Sequence, residues 1–134
     1  MKLFDVRCRV LYIRIGLALT IVITFTGASV LRSLGFFKND IYWLQEALGG
    51  DKMTHLLMGF GVMVAAYLVV LPRSLTQVFK VLCATLSLLL LEEFSQILFD
   101  TREFDWLDLS MGVVGATLAY AGFYSYLKFD RERT

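Results

Sequence analysis

The sequence predicts an all-α membrane protein, a bundle of about four transmembrane helices with both termini in the cytoplasm. Three observations predict this fold: an apolar composition, four long apolar runs, and an uneven distribution of lysine and arginine. Of 134 residues, 57% are hydrophobic and only 19% are charged, whereas soluble domains carry about 25% charged residues. The length suits one domain, so residues 1–134 are expected to form a single integral membrane domain.

The first apolar run covers residues 10–31 and is interrupted only by Arg14. It is long enough to span a bilayer, and Arg14 is expected to lie among the lipid headgroups. A cleaved signal peptide is the alternative, but the length of the run and the lack of an Ala-x-Ala triplet favour an uncleaved helix. Residues 32–50 follow, and their Tyr42 and Trp43 predict a short amphipathic helix at the membrane interface.

Three further runs predict the remaining spans. They cover residues 53–71, 78–99 and 107–127. The first of them ends at Pro72, which cannot continue a helix. Glycines recur in two of these runs and predict faces where helices approach closely; they are Gly59, Gly61, Gly112, Gly115 and Gly122.

The orientation follows from the basic residues, because positively charged loops resist translocation. With the N-terminus in the cytoplasm, nine of the 13 lysines and arginines lie on the cytoplasmic side. Those nine are Lys2, Arg7, Arg9, Arg14, Arg73, Lys80, Lys128, Arg131 and Arg133. An even number of crossings then returns the C-terminus to the same side.

This topology brings ionisable residues from three segments to the outer membrane face. Such groups within a membrane are functional candidates by default. The candidate ligand-binding residues are Asp51, Lys52, His55, Glu92, Glu93, Gln96, Arg102 and Asp108, with Asp105 nearby. In the alternative interpretation, Arg102 and the glutamates only lock helices together, while Asp51 and Asp108 cap helix N-termini.

Glu92 makes the strongest demand on its surroundings. It precedes Phe99 by seven residues, which corresponds to about 10 Å inside the expected helix end. A carboxylate there needs a cationic partner, a proton or a water-filled pocket. Arg102 is the expected partner, with Lys52 or His55 next.

Several function classes are not supported by the sequence. The net charge is +1 and there is no dense basic block, so nucleic-acid binding is not expected. Cys8 and Cys83 form neither a disulfide framework nor a metal motif. One histidine and several carboxylates match no recognised metal spacing, so neither a metal nor another cofactor is predicted.

The order Asp51-Lys52-x-x-His55, Glu92-Glu93-x-x-Gln96, Arg102, Asp108 and Gly115-Ala116 resembles the VanZ-like family of small bacterial membrane proteins. The resemblance covers residues 51–119. Two positions depart from the family pattern: Gly112 stands where asparagine is usual, and Asp105 where a small residue is commoner. The resemblance implies a multi-pass protein of the bacterial cytoplasmic (inner) membrane and a link to teicoplanin resistance, without a settled biochemical activity.

The leading hypothesis is an outward-facing pocket that binds or processes an anionic lipid-linked or cell-envelope molecule. Lys52 and Arg102 would bind its phosphate or carboxylate, and His55, Glu93 and Gln96 would orient it. An enzyme would use His55 or Glu93 as general acid or base, but no nucleophile motif accompanies them. The third hypothesis is a non-catalytic scaffold or small transporter subunit that acts through a protein partner. A homo-oligomer is compatible with each, because four helices enclose little space.

Overall fold

The computed structural model describes residues 2–34, 38–98 and 104–133, with side chains from residue 9 onward except at positions 32, 33, 38 and 41. Within these ranges the chain forms five α-helices and no strand. They are α1 (Lys2–Ser33), α2 (Lys38–Ala47), α3 (Asp51–Val70), α4 (Leu75–Gln96) and α5 (Trp106–Arg133). The all-α prediction is confirmed, and α2 lies within the segment expected to form a short interfacial helix.

Three of the helices contain stretches long and apolar enough to cross a membrane. These stretches are Arg9–Leu31 in α1, Asp51–Val70 in α3 and Leu75–Gln96 in α4. A 20-residue helix is about 30 Å long, close to the thickness of the hydrocarbon core. Only 6% to 28% of each stretch is buried inside the protein, so most of this apolar surface needs a lipid environment.

Short connections set the helix directions. Gly49 and Gly50 have φ values of 100° and 97°, which glycine adopts without a side-chain penalty, so α2 can turn sharply into α3. At the other end of α3, Leu71 is left-handed with φ 46°, and Pro72 follows it. Ser74 then caps α4 by accepting a backbone N–H with its hydroxyl.

Contacts along the bundle show that α3 and α5 run parallel to each other. Lys52 contacts Asp108 near the start of both helices, and Tyr67 stacks on Phe123 farther along, with ring centroids 3.7 Å apart. The core lies between α3, α4 and α5 and includes the fully buried Met63. α1 packs mainly against α3 and makes little contact with α4.

Glycines allow the backbones of α3 and α5 to meet. A Cβ atom added at Gly59 would collide with the Gly112 carbonyl, and one at Gly115 would collide with the α3 backbone. A Cβ at Gly61 would lie 2.8 Å from an aromatic ring of α1. The predicted close approach is therefore confirmed at these positions. It is wrong for Gly122, where an added Cβ meets nothing within 4 Å.

Arg14 has a more specific role than the expected headgroup contact. Its Nη2 donates a hydrogen bond to the Leu68 carbonyl oxygen at 2.9 Å. That carbonyl belongs to the last turn of α3, where backbone oxygens lack intrahelical partners and the helix dipole favours a cation. Arg14 thus attaches α1 to the C-terminal end of α3.

Candidate functional site

The candidate site lies where the N-terminal turns of α3 and α5 meet the C-terminal turn of α4. We use "polar cluster" for the described site residues that meet there: Asp51, Lys52, His55, Glu92, Glu93, Gln96, Asp105 and Asp108. The predicted convergence is observed for every candidate residue except Arg102, which falls in the 99–103 gap between the described ranges. The predicted pairing of Arg102 with Glu92 therefore stays a prediction.

Lys52 joins α3 to the start of α5. Its ammonium group donates to the carboxylates of both Asp105 and Asp108. Asp105 also accepts the Leu107 N–H at 2.8 Å, so Asp105 caps α5. The alternative interpretation of the sequence gave this role to Asp108. The Lys52 hydrogen bond, assisted by the Leu107 N–H, holds the pKa of the Asp105 carboxyl below its usual range.

His55 is almost completely buried among carboxylates. Only 5% of it is exposed, and its Nε2 lies 3.4 Å from Asp108 Oδ2 and 4.0 Å from Asp51 Oδ1. Among the described residues its imidazole forms no hydrogen bond. The ring is thus held at ion-pair distance from two aspartates.

The two glutamates differ in environment although they are adjacent in sequence. Glu93 is 1% exposed; its Oε1 accepts the Asp105 N–H and its Oε2 accepts from Gln96 Nε2, both at 3.1 Å. Glu92 is half-buried and accepts a 2.6 Å hydrogen bond from the Ser29 hydroxyl. Gln96 also lies 3.3 Å from both oxygens of Glu92, so it links the two carboxylates.

The end of α4 corrects the expected depth of Glu92. The described helix ends at Gln96 instead of Phe99, so Glu92 is one turn, or about 6 Å, from the helix end. Glu93, not Glu92, is the more buried carboxylate. The stronger demand for compensation therefore falls on Glu93.

Ser29, Gln45 and Asp105 were not among the predicted ligand-binding residues. Gln45 is 7% exposed and its Nε2 donates to Asp51 Oδ1 at 2.6 Å, which attaches α2 to the cluster. Ser29 attaches α1 to it through Glu92. The sequence signal that could have identified them is an isolated polar residue in or beside an apolar run, because such a residue needs a hydrogen-bond partner when it is buried.

Two adjoining cavities meet at the Ser29 and Glu92 side chains. The first lies between α1, α2, α3 and α4, and its lining includes Gln45, Thr54 and His55. The second is an apolar groove between α1, α3 and α4. Phe25, Ser29, Met58 and Glu92 line both cavities. The polar cluster is thus continuous with an apolar groove.

The described part of the cluster is rich in acid. Five carboxylates, from two glutamates and three aspartates, surround Lys52 and His55. Two groups bring possible metal ligands within 4.8 Å of one another: Asp51, His55 and Asp108, and His55, Glu92 and Glu93. His55 and Glu93, the candidate general acid or base, thus lie together.

The chain matches no family model, no curated protein and no solved structure. The resemblance to the VanZ-like family therefore stays a prediction from the spacing of the motif.

Proposed function

We propose that the chain is a four-span, VanZ-like protein of the bacterial cytoplasmic membrane, whose outward-facing pocket binds or processes an anionic lipid-linked or cell-envelope molecule. The observation that carries this proposal is the continuity between the buried polar cluster and the apolar groove beside α1. An amphiphilic molecule needs both environments at once.

α5 is the fourth span in this proposal. It has 28 residues and is about 42 Å long, more than a bilayer core requires. Glycines, tyrosines and Asp108 make it less apolar than the other spans. Its parallel packing along α3 nevertheless supports a crossing, because a helix in lengthwise contact with a membrane span shares its depth.

The distribution of charge supports cytoplasmic termini. The contact of Arg14 with Leu68 and the stacking of Tyr67 on Phe123 bring the start of α1 and the later part of α5 to the same end of α3. That end also contains Arg73, so the basic residues collect opposite the polar cluster. By the positive-inside rule the polar cluster then faces outward.

The groove supports a lipid-linked ligand over a freely soluble one. Its lining is mainly aliphatic and aromatic and includes Val22, Phe25, Val62 and Leu88. Because α1 makes little contact with α4, an acyl or isoprenoid chain can enter from the membrane between them. The head group would then lie against Glu92 and His55, at the boundary between the two cavities.

Cations at the mouth of the pocket would bind an anionic head group. Lys52 is 38% exposed, so its ammonium group can exchange an aspartate for a phosphate or carboxylate arriving from the aqueous side. Arg102, six residues after Gln96 in the sequence, is the second cation of the proposal. His55, Glu93 and Gln96 would orient the head group.

Native mass spectrometry of the detergent-purified protein tests the head-group assignment. We expect wild type to carry a specific amphiphile that is lost from Arg102→Ala and retained by the control Arg73→Ala, whose basic residue lies at the opposite end of the bundle. Equal folding is established first by circular dichroism and size-exclusion chromatography. Equal retention by Arg102→Ala would refute this role of Arg102.

A second pair of variants tests the first cavity. Ala28 lines the first cavity, so Ala28→Phe should reduce the amount of bound amphiphile. Leu19→Phe is the control, because Leu19 is 54% exposed on the same helix and lines neither described cavity. If all variants carry the same nonspecific lipids and a fixed protein co-purifies, the scaffold or transporter-subunit alternative replaces the pocket.

A further inference from the structure

His55, Glu92 and Glu93 form a compact set of metal-ligating groups, although their sequence spacing matches no familiar motif. One ligand atom from each lies within 4.8 Å of the others. Two atoms bound to one ion at about 2.1 Å are separated by about 3.0 to 4.2 Å, depending on the angle between them. Small side-chain rotations would therefore close these three groups around an ion.

The environment of His55 supplies a second, independent observation. Only 5% of the residue is exposed, and it lines the first cavity. Within the described part of the chain its imidazole forms no hydrogen bond. Buried polar groups normally have a partner. The nearest described carboxylate to His55 is that of Asp108, at 3.4 Å from Nε2. A buried imidazole that faces carboxylates and borders a cavity has the surroundings of a metal ligand.

Glu93 adds an electrostatic reason. Its two described partners are the Gln96 amide and the Asp105 N–H, and both are neutral donors. An ionised carboxylate that is 1% exposed is strongly disfavoured without a compensating positive charge. A divalent cation bound beside Glu93 would supply this charge.

We propose that His55, Glu92 and Glu93 bind one divalent transition-metal ion of the Mn²⁺ or Zn²⁺ class. One imidazole nitrogen with two carboxylates suits these ions better than Mg²⁺ or Ca²⁺, which prefer oxygen ligands throughout. Gln96 orients both carboxylates through its hydrogen bonds, as outer partners of metal ligands commonly do. His55 and Glu92 line the first cavity, so the ion keeps an open position toward it.

The neighbouring group of Asp51, His55 and Asp108 is the less suitable site. Lys52 already donates to Asp108, and its ammonium group would repel an ion placed beside it. Gln45 donates to Asp51 Oδ1. Both aspartates thus have good partners, whereas Glu93 has no described cationic one.

A titration with Mn²⁺ alone tests the proposal without knowledge of any organic ligand. Purified protein is stripped with EDTA and titrated while electron paramagnetic resonance measures free Mn²⁺. We expect about one ion per chain, displaced by Zn²⁺, and a nitrogen hyperfine coupling from His55 in the bound ion. No stoichiometric binding, or bound Mn²⁺ without nitrogen coupling, would overturn the proposal.

Three variants assign the ligands. His55→Ala and Glu93→Gln should weaken Mn²⁺ binding by at least about tenfold, the effect of removing even an outer partner of a metal site. Glu46→Gln, at an exposed carboxylate of α2 outside the polar cluster, is the control and should bind as wild type does. Asp51→Asn tests the neighbouring group. Circular dichroism and thermal unfolding verify the fold of each variant. Loss of binding in Asp51→Asn with retention in Glu93→Gln would move the ion to the neighbouring group and refute this assignment.

Discussion

The close contact between α3 and α5 predicts opposite effects for two glycine-to-alanine substitutions on the same helix. A methyl group at Gly115 would collide with the Leu56 carbonyl and lie 2.9 Å from the Phe60 nitrogen. A methyl group at Gly122 would meet nothing within 4 Å. Backbone atoms cannot rotate away as a side chain can, so relief at Gly115 requires the two helices to separate.

The magnitude follows from comparing the two variants. Alanine is a better helix former than glycine by about 1 kcal/mol, and this gain applies at both positions. Overpacking costs about 1 to 3 kcal/mol and applies at Gly115 alone. The free energy of unfolding of Gly115→Ala should therefore fall about 1 to 3 kcal/mol below that of Gly122→Ala, since the helix-propensity gains cancel.

The assay is reversible unfolding in mixed micelles with increasing SDS, followed by circular dichroism. Gly122→Ala should equal or exceed wild type in stability, and Gly115→Ala should be the less stable variant. Separating α3 from α5 would also draw Lys52 away from Asp108, so the loss of this ion pair is a second readout. Equal stability of the two variants would refute the close approach of the helices.

Three further substitutions test other contacts in the bundle. Arg14→Ala removes the hydrogen bond to the last turn of α3 and should lower the free energy of unfolding by about 1 to 3 kcal/mol, whereas the exposed control Arg73→Ala should change it little; equal losses would contradict the contact. The lowered pKa of Asp105 means that its ionised form stabilises the folded protein at every pH above the ordinary aspartate pKa of about 3.9. This contribution is lost as the pH falls through the lower pKa of the folded state. The unfolding free energy of wild type should consequently fall more steeply over that acidic range than that of Asp105→Asn, and parallel pH curves would count against the hydrogen bond from lysine. Gln45→Leu removes the 2.6 Å bond from α2 to Asp51 and should increase amide hydrogen exchange in α2 while α3 keeps its protection; an unchanged exchange rate in α2 would show that the bond does not hold the helix.

The helices could be predicted from the sequence because apolar runs are local features. The alternating direction of consecutive spans also made it possible to predict that the acidic ends of three segments meet. Hydropathy could not reveal which surface each side chain occupies. Adjacent residues are about 100° apart around a helix, so Glu92 and Glu93 reach different surroundings, and only the rotation of α4 within the bundle determines which is buried.

The partners of the site residues depended on tertiary placement. Ser29 meets Glu92 across 63 residues of sequence, and no local pattern specifies that contact. Lys52 had several acidic candidates, and its pairing with Asp105 and Asp108 depends on the register of α5 against α3. The nearest-neighbour rules that predict helices contain no information of this kind.

An acid-rich cluster can accept an anionic head group if a cation lies between them. Lys52 is engaged by two aspartates, so its charge is largely neutralised before a phosphate arrives. A dication at His55, Glu92 and Glu93 would balance the buried Glu93 and use its open position for a phosphate or carboxylate oxygen.

Retention of the amphiphile should therefore depend on the metal if both proposals hold. Wild type stripped with EDTA should lose the amphiphile in native mass spectra, and added Mn²⁺ should restore binding when the extracted amphiphile is supplied again. Glu93→Gln should lose it in either condition. Retention of the amphiphile by metal-free wild type would separate the proposals: the groove would bind its ligand through Arg102 and Lys52, and the ion would have a role of its own.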